Sequence, residues 1–361
     1  MVARLFRVAE IVVPIVGVAL LAIAWNIKEP PLWLTIIITA ALTGAVLAAV
    51  RHAEVVAHKI GEPYGSLVLA VAVTVIEVGL ILTLVLSGSG EARTLARDTV
   101  FAAVMITTNG VVGLSLLVGS LRHGVVRFNR EGAGALLASI VTMSVLCFVL
   151  PVVTMAGGES QFSADQLIFA AVVSLGLYIL VVTTQTMRHR SFFLPVEEGA
   201  QEDEEGPTPS VRRTIVSFIM LLLSLVAVVG LAKLVSPTIE HVVEDAGIPD
   251  SFVGVIIALL VLLPESISAV RAAARNRLQT SLNLGYGSAL ASIGLTIPTI
   301  AVASILFTGP VVLGLGGTQI VLLFLTFVVA TITIGTGRST RLQGGVHLAI
   351  FAAFIFLSIR P

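Results

Sequence analysis

A series of long apolar runs constrains this chain more than any other feature. An α-helix needs about 20 apolar residues to cross the hydrocarbon of a bilayer. Runs of that kind fall at 11–25, 32–50, 65–88, 98–121, 134–156, 165–187, 214–235, 251–270, 281–307, 311–335 and 342–359. Composition agrees, since 57% of the 361 residues are hydrophobic and only 12% are charged, about half the charged share of a soluble domain. The expected fold class is an all-α polytopic membrane protein with about 11 transmembrane helices.

The basic residues test that count, because Lys and Arg collect in cytoplasmic loops. With the N-terminus inside, alternate loops hold sixteen of the 21 basic residues on the cytoplasmic side and five outside. The inside set runs from Arg4 and Arg7 through Arg51, Lys59, Arg122, Arg127 and Arg130 to Arg338 and Arg341; the outside set is Lys28, Arg93, Arg97, Lys233 and Arg360. Merging or splitting one span midway would scramble this partition, so an odd number of spans is expected, with the C-terminus outside. Arg4 and Arg7 ahead of the first run superficially resemble a secretory signal. That run ends in AWNIKEPP without a small-x-small cleavage pattern, so it reads as a retained helix.

The longest loop, 188–213, holds Glu197, Glu198, Glu202, Asp203, Glu204 and Glu205. It reads as a cytoplasmic acidic linker, with a cation-attracting or regulatory role for 197–205 as the alternative. Six runs precede it and five follow. The partition is therefore an N-terminal extra helix (1–31), a first five-helix repeat (32–187), the linker, and a second five-helix repeat (214–361). Five is odd, so the second repeat enters the membrane inverted, as in many secondary transporters. The repeats also match in detail: Glu77 stands fourteen residues after Pro63 of GEPYGS, and Glu265 sixteen after Pro249 of AGIPDS.

Of the 21 acidic residues, Glu77 and Glu265 are the two that lie deep inside apolar runs. A charge at the bilayer centre costs about 2.5–3.5 kcal/mol on insertion scales, and such residues usually face a cavity and work. The structural alternative is a protonated glutamate tying helices together. Inverted repeats would bring the two carboxylates together near the midplane, where one divalent cation or two protons would leave the site near neutral. That is the charge logic of exchange. Calcium needs six to eight oxygens, so further ligands are expected. Pro264 removes an N–H and releases the Leu260 carbonyl, Thr74 lies one turn from Glu77, and Thr108, Asn109, Ser288 and Ser292 sit at mid-depth in the following helices. Each of these also reads as an interhelical packing contact. His347 reads first as a packing contact and second as a proton relay. Cys147, the single cysteine, reads as a buried core residue and excludes an intrachain disulfide. Equal acidic and basic counts give no reason to expect nucleic acid as a partner. Lipid is the one partner the runs require, and a homo-oligomer stays open.

GEPYGSLVLAVAVTVIEVGLIL and LLPESISAVRAAARNRLQTSLNLGYGSALASIGLTIP resemble the two signature repeats of bacterial calcium/proton antiporters of the ChaA type. These form part of the cation exchanger (CAX) branch of the calcium/cation antiporter superfamily. The resemblance covers about residues 32–361. It implies an extra N-terminal helix plus two inverted five-helix repeats, and Ca²⁺/H⁺ exchange by alternating access in a bacterial inner membrane. Glu77 and Glu265 would be the cation- and proton-binding residues, and no cofactor beyond the transported ion is expected. The family pattern G-N-x-x-E is replaced here by Val73-Thr74-Val75-Ile76-Glu77 and Val261-Leu262-Leu263-Pro264-Glu265. Relatives of this subtype are associated with Na⁺ and K⁺ as well, so Na⁺(K⁺)/H⁺ antiport is the alternative. A membrane-embedded enzyme is disfavoured, since no HExxH occurs and no aspartate lies mid-span; a channel would not need the repeated carboxylates.

Overall fold

In the computed structural model, which describes residues 2–27, 30–61, 64–86, 92–154, 162–194, 196, 208–249, 251–306 and 312–361, the apolar runs are helices. They are α1 (Val2–Ala24), α2 (Leu32–Ile60), α3 (Tyr64–Leu86), α4 (Ala92–Met105) and α5 (Val112–His123), then α6 (Arg130–Ser144) and α7 (Leu150–Thr154). After these come α8 (Ala164–Thr183), α9 (Val211–Asp245), α10 (Ser251–Ala274), α11 (Leu278–Leu306), α12 (Gly317–Gly335) and α13 (Arg341–Ile359). Among the described residues, nine helical stretches are long and apolar enough to cross a membrane, and α1 and α3 contribute shorter apolar stretches at Glu10–Ala24 and Val71–Ile81. The acidic cluster 197–205 lies outside the described residues.

The helices depart from the hydropathy in three places. One expected span contains a π-helical turn, Ile106–Val111, that joins α4 to α5; a second, Val145–Val149, joins α6 to α7; a third, Thr184–Arg188, ends α8. Hydropathy cannot register an extra residue in a turn, because apolarity is unchanged by it. Two helices also outrun their apolar windows. α2 continues past Val50 to Ile60, and α9 continues past Val235 to Asp245 with Pro237 inside it, so both helices run on into more polar sequence.

The chain forms two compact units, Met1–Ala92 with Gly206–Val261, and Arg93–Glu205 with Leu262–Pro361. In the first, α9 packs along α1, α2 and α3. Small residues permit this, as they do wherever membrane helices must meet without a hydrophobic driving force. Ala45, Ala49 and Ala53 make a fully buried stripe on α2, and a Cβ placed at Gly79 of α3 would stand 2.6 Å from Val229 of α9. The polar extension of α2 is fixed to α1, with His52 Nε2 3.0 Å from the Glu10 carbonyl oxygen.

In the second unit, α11 packs against α8, α6 and α5, while α13 packs along α5. Helix starts are capped. The Asn129 side chain accepts from the Glu131 and Gly132 N–H groups at α6, and Ser163 with Gln166, and Thr340 with Gln343, form capping boxes at α8 and α13. A two-residue antiparallel pair, β1 (Val126–Arg127) with β2 (Arg338–Ser339), joins the loops that follow α5 and α12. α12 shows how the unit meets lipid: Val321, Phe324, Leu325, Val328 and Ile332 are exposed, while Leu322, Thr326, Ala330 and Thr333 are buried. Thr326 and Thr333 thus face inward, while these large apolar side chains face outward, as suits a helix beside lipid.

Candidate functional site

In the first unit, α3 carries Glu77 within its apolar stretch Val71–Ile81, and the residue is 3% exposed. Thr74, one helical turn earlier, is buried as well. The close approach at Gly79, two residues past the glutamate, fixes this part of α3 against α9. The missing Cβ at Gly79 lets α3 seat closely on α9 beside the buried carboxylate.

In the second unit, Glu265 follows Pro264 within the continuous helix α10. Both of its carboxylate oxygens are buried, although the residue as a whole is half-buried. The neighbouring Ser266 Oγ donates to the Leu262 carbonyl at 2.6 Å, so its proton is spent within the helix. On α11, a Cβ at Gly285 would lie 3.2 Å from Val112 and 3.7 Å from the Thr107 carbonyl oxygen, so this glycine lets α11 close on the π-turn. Ser288 and Ser292 continue the same stripe at one and two turns. Ser292 is buried and Ser288 half-buried.

The π-turn itself holds Thr107, Thr108 and Asn109, all buried. Thr107 donates to the Ala103 carbonyl at 2.7 Å and Thr108 to the Val104 carbonyl. Asn109 is turned toward α12 and α13, with Nδ2 2.9 Å from Thr326 Oγ1 and Oδ1 3.2 Å from His347 Nδ1. His347 reaches Thr333 Oγ1 through Nε2 at 3.2 Å. The packing reading of His347 is therefore supported by the contacts it makes. The sequence reading missed Thr326 and Thr333. Their signal is a seven-residue spacing, which puts both hydroxyls on one face of the largely apolar α12.

One further buried carboxylate went unrecognised. Asp98, on α4, is 3% exposed; its Oδ1 lies 2.8 Å from Arg97 Nη2 and accepts from Gln319 at 3.4 Å. Arg97 Nη1 also donates to the Gly314 carbonyl at 2.9 Å. This cluster ties α4 to the turn that precedes α12.

The sequence profile of the sodium/calcium exchanger protein family matches residues 30–187 and 216–360. The y4hA protein of Sinorhizobium fredii is 46% identical over 352 residues, covering 97% of this chain and 95% of the relative. The sodium-potassium/proton antiporter ChaA of Escherichia coli is 34% identical over 316 residues, covering 87% and 85%. Among solved structures, the Ca²⁺/H⁺ antiporter YfkE superposes with a TM-score of 0.71 at 18% identity, covering 97% of this chain and 99% of that one. At that identity the likeness concerns the fold alone.

Proposed function

This chain belongs to the sodium/calcium exchanger protein family, and from that premise we propose that it is a proton-coupled cation antiporter that exchanges Ca²⁺ for H⁺ by alternating access. The observation that carries the reading is the matched glutamate: one carboxylate deep in an apolar run of each half, Glu77 and Glu265, at nearly the same distance from a proline in a polar turn. A pair of carboxylates is near neutral with one divalent ion or two protons and doubly charged with neither. Carrying the bare pair through hydrocarbon is costly. Loading with one ligand or the other lowers that barrier, and obligatory exchange follows from the difference. Burial of Glu77 and of both Glu265 carboxylate oxygens supports this assignment, and Thr74, Pro264, Thr108, Asn109, Ser288 and Ser292 are the proposed supporting positions. The bacterial inner membrane is the proposed location.

A second reading, Na⁺(K⁺)/H⁺ antiport, is favoured by the 34% identity to the E. coli antiporter and by Thr74 and Leu262 standing where the family pattern has asparagine. A monovalent cation would need one carboxylate and fewer oxygens than calcium does. Everted vesicles acidified by respiration separate the two. Dissipation of the gradient by Ca²⁺, with Na⁺ and K⁺ inert, supports the first reading, and the reverse pattern supports the second. A gradient that survives all three cations would end the antiporter proposal.

A further inference from the structure

We infer that His347 is held as the neutral Nδ1–H tautomer, and that in this form it is a positioning residue, fixing the amide of Asn109 on the π-turn. The inference rests on the proposed antiport reading for its functional consequence, and on the hydrogen-bond network alone for the tautomer.

Four side chains from three elements form the network: Asn109 on the π-turn, Thr326 and Thr333 on α12, and His347 on α13, all of them buried. An amide and an imidazole can each be turned over, so two directions of donation satisfy the inner contacts. In one, Asn109 Nδ2 donates to Thr326 Oγ1, His347 Nδ1–H donates to Asn109 Oδ1, and Thr333 donates to His347 Nε2. In the other, every arrow reverses and the proton sits on Nε2. The ends of the chain decide between them. Thr326 Oγ1 lies 2.8 Å from the Leu322 carbonyl oxygen, a contact that requires the hydroxyl proton. That proton is then not available to Asn109, so the amide must donate and its oxygen must face the histidine. At the other end, Thr333 Oγ1 makes, among the described residues, no hydrogen bond besides that with His347 Nε2. Its proton is used only if Nε2 accepts it. A buried hydroxyl without an acceptor costs about 1–3 kcal/mol, so the ends impose one direction on the whole chain.

Packing holds the ring where the network needs it. A Cβ at Gly113 of α5 would lie 2.8 Å from His347 Cβ, and one at Gly110 would lie 3.3 Å from Phe351. Glycines on α5 and the π-turn therefore let α13 approach closely enough for a side chain one turn along to reach Asn109. Because Asn109 follows directly on Thr107 and Thr108, its amide sets the rotation of the turn against which α11 packs.

Two measurements test this. In the full-length protein in lipid, solid-state NMR of ¹⁵N/¹³C-labelled histidine, assigned through correlations to Thr333, is expected to show Nδ1 protonated and Nε2 bare; an Nε2–H or doubly protonated ring would overturn the tautomer. In vesicles, H347N keeps an amide N–H where Nδ1 stood, whereas H347Q places its terminal group where Nε2 stood. H347N is expected to keep the wild-type cation KM, and H347Q to raise it about tenfold, the equivalent of one hydrogen bond to a buried group. Identical KM values for the two variants would overturn the positioning role. Failure of the antiport reading looks different, since the wild type itself would then exchange no cation while the tautomer result still stood.

Discussion

Asp98 and the two central glutamates are all buried carboxylates, and they are stabilised differently. Asp98 has Arg97 beside it with a contact of 2.8 Å, and that arginine is 15% exposed at its side chain. Removing one partner of such a pair strands a charge in a poorly solvated place, at about 3–5 kcal/mol. R97A is therefore expected to lower the thermal midpoint of the detergent-solubilised protein sharply, while the double variant R97Q/D98N recovers most of the loss because no charge is left behind. Glu77 and Glu265 were legible from sequence because each interrupts a long apolar run without another charge nearby. Asp98 was not. It sits one position from Arg97 at the edge of its run, where hydropathy reads a polar loop, and only the fold shows that the helix has already begun at Ala92.

At the level of elements, the contact of α5 with α13 turns on glycine. A Cβ at Gly344 would stand 2.6 Å from the Leu117 nitrogen and 2.9 Å from the Gly113 carbonyl oxygen, whereas at Gly345 nothing lies within 4 Å. G344A is expected to cost about 1–3 kcal/mol by overpacking and G345A less than about 0.5 kcal/mol, read as the difference in unfolding midpoint between two neighbouring substitutions. Sequence reading found these helices from their apolarity, and their partners were beyond it. Gly344 and Gly345 are equivalent in composition and propensity, and differ only in which one faces another backbone. The π-turns were hidden for a similar reason. Thr108 and Asn109 were marked as mid-depth polar residues, but their destination depends on a register change that leaves no trace in hydropathy. Thr326, Thr333 and His347 explain where the Asn109 amide goes, and they come from helices more than two hundred residues away in the chain.

At the scale of the whole molecule, the membrane boundaries rest on charges and aromatic residues. Both tryptophans of the chain, Trp25 and Trp33, flank the turn between α1 and α2 and are more than half exposed; Lys233 lies 5.3 Å from the centre of the Trp25 ring. That arrangement is typical of an interfacial belt. Tryptophan fluorescence is expected to be quenched more by lipids brominated close to the headgroup than by lipids brominated at the chain end; the opposite order would place the turn inside the hydrocarbon. The basic-residue partition predicts a C-terminus outside, so a phosphatase fused after Pro361 is expected to be active in the periplasm and a cytoplasmic reporter inactive. The central claim, that Glu77 and Glu265 carry coupled exchange, is tested most directly by the purified protein in liposomes with an acidic interior. Wild-type protein is expected to accumulate Ca²⁺ as protons leave, and E77Q and E265Q are each expected to fall to the level of empty liposomes while remaining folded. Exchange at the wild-type rate in either variant would contradict the account.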